Sequence, residues 1–331
     1  INMPDVVMHH HFGKVVYSAL EENVKNAITN TNLYDFATAG PDPFFFCNFI
    51  NSKLQKESFA FGEYMHRHKS KEFFLKLIEL SKVDYNMFNY LCGFVTHYYL
   101  DSYTHPYIFY CTGVYNPDEL DTLCYRGLHT KLERAMDCFV IENYYDANPN
   151  TFNIASKILK LRKINKSSKE SFDRLYESVF NKANGYKMVN NSIKWQRRFY
   201  RFIYDPFGII LKILTKKDDG KSSLDLSKLS YYDKKIPSSQ VDIFNYKRRS
   251  WCNPIDKEMT STYSFFDLFD LAKDQAVNCI NDLYRTIFLN ESFDVDAYFK
   301  DLSYITGVPC SYDLDMKYFN NIFEDKNKNN L

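Results

Sequence analysis

The chain has 331 residues, of which 45% are apolar and 25% are charged, a composition typical of a globular protein with a large core. Its 42 basic and 41 acidic residues leave a net charge of +1, which argues against a protein whose overall charge attracts it to nucleic acid or to a membrane. The eight cysteines contain no Cys-x-x-Cys pair, so we expect free, buried thiols.

Apolar residues recur with the period of a helix along most of the chain, and the two-residue alternation of strands is scarce. The pattern therefore predicts an all-α, multi-helix bundle. The predicted helices cover, in chain order, residues 13–29, 60–82, 84–104, 118–146, 151–163, 168–182, 187–203, 206–216, 262–289 and 294–304.

Three segments are predicted not to be helical. Pro41 and Pro43 predict an extended loop over residues 37–46, which would hold Asp42 rigidly. The polar, turn-rich residues 216–240 predict a second loop, and the final EDKNKNNL predicts a disordered tail.

All eight histidines lie in the first 129 residues, which places the chemistry in the N-terminal half. The stretch FVTHYYLDSYTHPYIFY places His97, Asp101 and His105 at four-residue spacing, on one narrow face of a helix. The neighbouring apolar residues turn this face inward. Buried imidazoles and a buried carboxylate need partners, which are either hydrogen bonds or a divalent metal ion.

Four further motifs offer imidazole or carboxylate side chains. They are MHHHFG with His9, His10 and His11 just ahead of a helix, GPDPF with Asp42, YMHRHK with His66 and His68, and HTKLERAMD with His129, Glu133 and Asp137. Each alone is more often a surface or core feature than a metal site. Together they exceed what one tetrahedral ion uses, which favours a cluster of two or three ions that share a bridging carboxylate.

The order of these motifs resembles the zinc-dependent phospholipase C family, whose superfamily includes clostridial alpha-toxin-like enzymes, the P1-type nucleases and the N-terminal domain of GPI-specific phospholipase D. The resemblance covers residues 3–140. MPDVVMHHHFG is similar to the small bacterial branch, in which a His precedes x-x-Phe-Gly, and this favours His9 among the triplet. THYYLDSYTHP is similar to the His-x-x-x-Asp-x-x-x-His of the GPI-phospholipase branch.

The resemblance implies a set of zinc ligands. Asp42, His66, His97 and Asp101 would hold one ion, Asp101 would bridge to a second ion that His9 also binds, and His105, His129 and Glu133 would hold a third. If the ions assemble in this way, Asp42 is a rigid carboxylate next to them, and we expect it to orient or deprotonate the attacking water.

The other candidate residues are expected to have supporting roles. We expect His10, His11 and His68 to be exposed or to support the ligands, and Asp137 to be a hydrogen-bond or salt-bridge partner.

The chain departs from the family pattern at three places. Secreted members bind metal through an N-terminal Trp amine, whereas this chain has Pro4, whose amine is a hypothetical partner of His9 if the preceding residues are removed. In the toxin branch the third histidine lies six residues past the Asp, but His105 lies four past Asp101. The calcium-binding β-sandwich of the toxins is not expected, because residues 150–331 have a helical pattern.

The implied reaction is hydrolysis of a phosphodiester by metal-activated water, with zinc as the cofactor. A phospholipid such as phosphatidylcholine would give diacylglycerol and a phosphorylated headgroup. Two alternatives stay open: a P1-type nuclease with the same cluster, and a non-catalytic scaffold that encloses structural zinc. Binding of nucleic acid is not expected because no basic groove is evident, and the sequence does not specify an oligomeric state.

The motifs divide the chain into a metal-binding helical catalytic core over residues 3–147 and a helical extension packed on it over residues 148–331. The start of the chain lacks the apolar core of a signal peptide, so we expect a cytoplasmic protein. The amphipathic residues 206–217 are the candidate for contact with a membrane surface, although packing in the core is the default for such a segment.

Overall fold

The computed structural model describes residues 6–48, 51–207, 209, 241–312 and 314–323. These residues are mainly helical, with one antiparallel two-stranded sheet, which confirms the predicted all-α class. The α-helices are α1 (Val6–Ala19), α2 (Glu22–Ala27), α3 (Thr31–Ala37), α4 (Ser52–Arg67), α5 (Ser70–Ser81), α6 (Tyr85–Thr112), α7 (Leu128–Tyr144), α8 (Ile154–Lys157), α9 (Lys169–Phe180), α10 (Gly185–Phe202), α11 (Phe265–Leu289) and α12 (Val295–Tyr298). The strands are β1 (Trp251–Asn253) and β2 (Asp256–Ser261), and 3₁₀ helices cover Asp42–Phe46, Leu120–Tyr125, Lys166–Ser168 and Cys310–Tyr312.

Helix α6 is the central element of the fold. Most of its 28 residues are buried, because α1, α3, α5 and α11 pack around it. A helix that is apolar on nearly all sides has to be enclosed in this way. Its start is capped by Asp84, whose Oδ1 accepts a hydrogen bond from the Asn86 N–H (3.0 Å). Its end is at Gly113, which has a φ of 66° and donates its N–H to the Phe109 carbonyl (2.8 Å).

A proline lies inside α6, and a turn from the C-terminal part of the chain packs against it. The prediction ended this helix at residue 104, ahead of Pro106, but the helix continues past the proline. Pro106 has no N–H to donate to the Ser102 carbonyl. Gly307, with a φ of 66°, lies against this point, where a Cβ would be 2.4 Å from the Ser102 oxygen. A β-bridge between Leu302 and Pro309 closes the turn that carries Gly307.

Two long predicted helices are each divided at one residue with a positive φ. The predicted helix 60–82 is α4 followed by α5, separated at Lys69 with a φ of 61°. The predicted helix 118–146 is a 3₁₀ helix followed by α7, separated at Gly127 with a φ of 74°. A single left-handed residue interrupts the hydrogen bonds but leaves the apolar period on either side, so the period does not reveal the break.

Other boundaries also differ from the predictions. Helix α1 begins at Val6 instead of residue 13, so the histidine triplet lies inside the helix and not ahead of it. The predicted helices 151–163 and 294–304 contain only the single-turn helices α8 and α12. Helix α3 and the β1–β2 hairpin were not predicted, because both are short. The long helices α9, α10 and α11 agree with the predictions within a few residues.

Most of the predicted helix 206–216, all of the predicted loop 216–240 and the predicted tail lie outside the described residues. The division into a core and an extension stays a prediction. One hydrophobic cluster includes residues from both parts, as in the stacked rings of Phe74 and Phe299, whose centroids are 4.2 Å apart.

All eight cysteines are free thiols, but the expected burial holds for four of them. The buried ones are Cys47, Cys92, Cys111 and Cys279. None of the described helices combines the length and the apolar composition that crossing a bilayer requires.

Replacement of Gly307 by Ala is expected to destabilise the protein. The left-handed backbone alone should lower the free energy of unfolding by about 1–2 kcal/mol for a residue with a Cβ, and contact with the Ser102 oxygen should add to this loss. Urea unfolding followed by circular dichroism measures the change.

The variant Gly307→Asn separates the two causes, because Asn tolerates a positive φ but carries the same Cβ. We expect it to be destabilised as well. An Asn variant as stable as the original protein would show that the close approach to Ser102 is not a constraint.

Candidate metal centre

Eight buried imidazole and carboxylate side chains from five elements meet beside α6. They are His9 of α1, Asp42 of the first 3₁₀ helix, His66 of α4, His97, Asp101 and His105 of α6, and His129 and Glu133 of α7. Counted as whole residues, none of the eight is more than 9% exposed. These are the eight residues predicted as metal ligands, and the structure brings all of them together.

Asp101 lies at the middle of this cluster. Its Oδ1 is 3.2 Å from His9 Nε2, and its Oδ2 is 3.1 Å from His97 Nε2. The same Oδ2 is 3.5 Å from His105 Nδ1 and 3.9 Å from His66 Nε2. One carboxylate thus contacts four imidazoles, two of which lie one turn before and one turn after it on α6.

Asp42 is the second carboxylate that contacts these imidazoles. Its Oδ1 is 3.0 Å from His66 Nε2, and its Oδ2 is 3.8 Å from His9 Nε2 and 3.9 Å from His97 Nδ1. A 3₁₀ helix that begins at Asp42 holds the carboxylate, so the prediction of an extended loop was wrong. Pro43 stands in the first turn of this helix, where no N–H donor is needed, and it is therefore compatible with a helix start.

The segment that carries Asp42 passes very close to His97. Gly40 has a φ of 51°, and a Cβ at this position would be 2.2 Å from His97 Cδ2. The Gly40 N–H donates to the Ala37 carbonyl (2.9 Å), which continues the turn at the end of α3. A side chain at position 40 would displace the imidazole, so the glycine of GPDPF is required for the geometry of the site.

His105, His129 and Glu133 form the second part of the cluster. Glu133 Oε1 is 2.9 Å from His129 Nε2 and 3.6 Å from His105 Nε2. His129 and Glu133 are one turn apart on α7, so both side chains project from one face. This part is joined to the first through His105, which also contacts Asp101.

Backbone carbonyls determine which ring nitrogen of two histidines carries hydrogen. His66 Nδ1 is 2.7 Å from the Gly62 carbonyl oxygen, and His105 Nδ1 is 2.7 Å from the Tyr304 carbonyl oxygen. Because a carbonyl oxygen can only accept, each Nδ1 donates. In the neutral ring the other nitrogen, Nε2, then carries the lone pair, and a hydrogen bond from Nδ1–H to a carbonyl is the usual arrangement of a histidine that binds metal through Nε2.

Tyr304 is a functional residue that the sequence did not indicate. Its carbonyl accepts from His105, its N–H donates to the His66 carbonyl (2.8 Å), and its ring lies edge-on to His97 with centroids 5.5 Å apart. Its main contribution comes from backbone atoms, which every residue type carries. No motif would therefore have revealed it.

Several polar atoms of the cluster are buried without a hydrogen-bond partner. They are Nδ1 of His9, both ring nitrogens of His97, Oδ2 of Asp101, Nδ1 of His129 and Oε2 of Glu133. His97 Nε2 and Asp101 Oδ2 are only 3.1 Å apart but do not have hydrogen-bond geometry. Unpaired polar groups of this kind cost about 1–3 kcal/mol each. Nitrogen and oxygen atoms that converge without bonding to one another fit the donor set of zinc.

Burial and opposite charge compete in setting the protonation of the cluster. Burial, the largest single cause, would lower the pKa of His9 and of His105. Asp101 together with Asp42 for His9, and together with Glu133 and the Tyr304 carbonyl for His105, more than offsets burial, and the pKa of His105 rises to about 9. For His97 burial prevails and lowers its pKa. Burial would raise the pKa of both carboxyl groups, but the imidazoles hold that of Asp101 well below its usual range and lower that of Glu133 to about 2. The carboxylates are therefore ionised and attract cations.

Three sets of side chains are close enough to hold a metal ion each. They are His9, Asp42 and His97; His66, His97 and Asp101; and His105, His129 and Glu133. The third set is the one implied for the third zinc ion. The first two sets share a histidine and pair His9 with Asp42, whereas the resemblance pairs it with Asp101. The assignment of ligands to individual ions stays a prediction.

The remaining histidines lie outside these three sets. His10 is buried and not exposed, and its ring nitrogens lie near Tyr145 and Asp35, with Nδ1 2.6 Å from the Tyr145 hydroxyl and Nε2 3.6 Å from Asp35 Oδ2. The rings of His11 and His68 are half-buried and pack against tyrosines, at 4.2 Å and 4.6 Å between centroids.

Asp137 is a hydrogen-bond partner, as predicted. Its Oδ1 accepts the Met8 N–H (2.8 Å), which ties α7 to the helix that carries His9. Pro4, the hypothetical additional partner of His9, lies outside the described residues.

Comparison with known proteins agrees with the geometry of the cluster. The family model for zinc dependent phospholipase C matches residues 8–193, a segment that contains all eight side chains of the cluster. Neither a curated protein nor a solved structure matches the chain significantly. Because the match covers more than half of the chain, the protein belongs to the zinc-dependent phospholipase C family.

Proposed function

We propose that the protein is a zinc-dependent phosphodiester hydrolase that cleaves a glycerophospholipid into diacylglycerol and a phosphorylated headgroup. The observation that carries the proposal is the convergence of eight buried ligand-type side chains around Asp101, in a chain of this family. When bound there, zinc supplies a Lewis acid that neutralises phosphate oxygens and lowers the pKa of water.

The negative charge of the cluster favours the binding of more than one metal ion. Asp42, Asp101 and Glu133 are three buried carboxylates, and five imidazoles cannot neutralise them unless they take up protons. Two or three divalent ions would more than offset this charge. The remaining positive charge would then attract the anionic phosphodiester.

Asp42 is the residue that we assign to proton transfer. Its Oδ1 is engaged by His66 at 3.0 Å, whereas its Oδ2 is 3.8 Å or more from the ring nitrogens of His9 and His97. Oδ2 is therefore available to accept a proton from the attacking water. The water oxygen bonds to phosphorus as the bond from phosphorus to the diacylglycerol oxygen breaks, and one proton ends on that leaving oxygen.

Other residues act by holding these groups in place. The Gly62 and Tyr304 carbonyls keep a hydrogen on Nδ1 of His66 and His105, so that Nε2 stays available as a ligand. Gly40 allows the Asp42 segment to approach His97. The arrangement is thus set before any substrate binds, as catalysis by preorganised groups requires.

The protein is expected to hydrolyse a chromogenic phosphocholine ester, to lose this activity with a chelator and to regain it with zinc. Elemental analysis is expected to find about two or three zinc ions per chain, because eight ligands exceed the needs of one ion. Single-stranded nucleic acid serves as the parallel substrate. A fully zinc-loaded protein that hydrolyses neither substrate would be a scaffold, and one that hydrolyses only nucleic acid would be a nuclease.

Replacement of His129 by Ala is expected to lower the zinc content by about one equivalent and to reduce hydrolysis, because the set with His105 and Glu133 loses a ligand. His68→Ala is the matched control, since it removes a half-buried histidine outside the three sets. Zinc content and hydrolysis are measured on both variants. Equal zinc content in the two variants would contradict the assignment.

Replacement of Asp42 by Asn keeps the shape of the side chain but removes its capacity to take up a proton. We expect kcat/KM to fall by about 10²–10⁴-fold, the usual contribution of a general base. Zinc measured on the same sample separates loss of proton transfer from loss of metal. A variant with normal zinc and normal activity would exclude the catalytic role of Asp42.

A further inference from the structure

Although the net charge is near zero, the basic and acidic residues are unevenly distributed along the chain. Residues 147–169 and 178–204 together contain twelve Lys and Arg residues and no Asp or Glu. These two segments include α8 and α10, which pack against each other. This packing brings basic residues of the two segments close together, and no carboxylate from the same segments can pair with them.

A cleft of about 390 Å³ lies within this region. It is lined by Lys160, Arg162, Arg197 and Arg201 together with Asn153, Ala155 and Ser156. Four of the lining side chains are cationic and none is anionic. The volume is that of a site for a small ligand or for the headgroup of a larger one.

Within the described part of the chain, the cations of the cleft have no counter-charge. Among the described residues, none of the four takes part in an ion pair, in contrast to Lys14, whose Nζ is 2.7 Å from Asp35. Nη1 of Arg197 is buried from solvent and lacks a hydrogen-bond partner. Burial and the charges of Arg201 and Arg162 lower the pKa of Arg197, as expected where guanidinium groups are held together.

The cleft is separate from the metal centre. Arg197 and Arg201 are one turn apart on α10 and project from one face. A different face of α10 packs on the 3₁₀ helix of Asp42, where the rings of Phe199 and Tyr200 are 5.0 Å and 5.5 Å from that of Phe46. None of the residues that line the cleft belongs to the three metal sets.

We propose that this cleft is a second binding site, which takes the phosphate group of an anionic ligand and does not take part in hydrolysis. The planar guanidinium groups match the geometry of phosphate oxygens, to which each can donate two parallel hydrogen bonds. A phosphate monoester carries close to two negative charges and three acceptor oxygens, so it satisfies several of these donors at once. A carboxylate, with one charge, would leave most of them unpaired.

The phosphate group has two possible sources, a lipid headgroup or a free phosphorylated compound. Exposed apolar side chains at and after the end of α10 favour the lipid. Phe202, next to Arg201 in the chain, is 64% exposed, and Phe207 and Ile209, a few residues later, are 81% and 56% exposed. Basic side chains close in the chain to exposed apolar ones are typical of segments that contact anionic membranes.

The test compares the original protein with the double variant Arg197→Gln/Arg201→Gln. The matched control is Lys187→Gln/Lys194→Gln, which removes two exposed charges from the same helix outside the cleft. Glycerol 3-phosphate is titrated by calorimetry, and phosphatidylcholine vesicles with and without phosphatidic acid are used in sedimentation. All three proteins keep the metal centre, so any phosphate that binds there contributes equally to each. The difference in affinity between the proteins therefore measures binding in the cleft.

We expect the arginine variant to bind at least one of the two phosphate probes at least about tenfold more weakly than the original protein, and the lysine variant to bind almost normally. A loss with glycerol 3-phosphate indicates a soluble ligand, and a loss confined to vesicles that contain phosphatidic acid indicates a lipid. In phosphate-free buffer we expect the melting temperature of the arginine variant to be no lower than that of the original protein, because the substitutions remove repulsion between neighbouring guanidinium groups. Equal losses in both variants, or no binding of either probe by the original protein, would overturn the proposal.

Discussion

The fold and the site both depend on the interaction of one buried carboxylate, Asp101, with the imidazoles that offset its charge. It lies at 2% exposure in the middle of the central helix and contacts four imidazoles. An isolated charge at this depth would be prohibitively unfavourable, so the helices around α6 have to bring partners to it. The helical bundle is therefore organised around a polar centre as well as around its apolar core.

The C-terminal part of the chain has a specific role in this arrangement. The turn around Gly307 packs where Pro106 leaves the Ser102 carbonyl without its helical partner, and the same turn presents the Tyr304 carbonyl to His105. One short segment thus packs against the proline of the central helix and also accepts the hydrogen bond of His105. This explains why a region without histidines contributes to the site.

The sequence predicted the helical class and grouped His97, Asp101 and His105, and also His129 with Glu133, because helical periodicity and four-residue spacing are local properties that a linear pattern retains. It singled out His9, Asp42 and His66 only through the order of the motifs, which resembles that of the family. It did not predict the left-handed residue Lys69, since one backbone angle leaves the apolar period unchanged. It placed Asp42 in an extended loop, because the prolines beside it fit a helix start equally well. Nor did net charge reveal the basic cleft, which depends on how α8 and α10 meet.

The hydrogen bond between His105 and Tyr304 also determines how much of the chain is needed to build the site. The family match ends at residue 193, and every side chain that we assign to zinc lies inside it. The hydrogen bond that aligns His105 nevertheless comes from beyond that limit, at residue 304. A fragment cut at the family boundary would retain the eight side chains of the cluster and lose the hydrogen bond that aligns His105, so the geometry of the site depends on the longer chain.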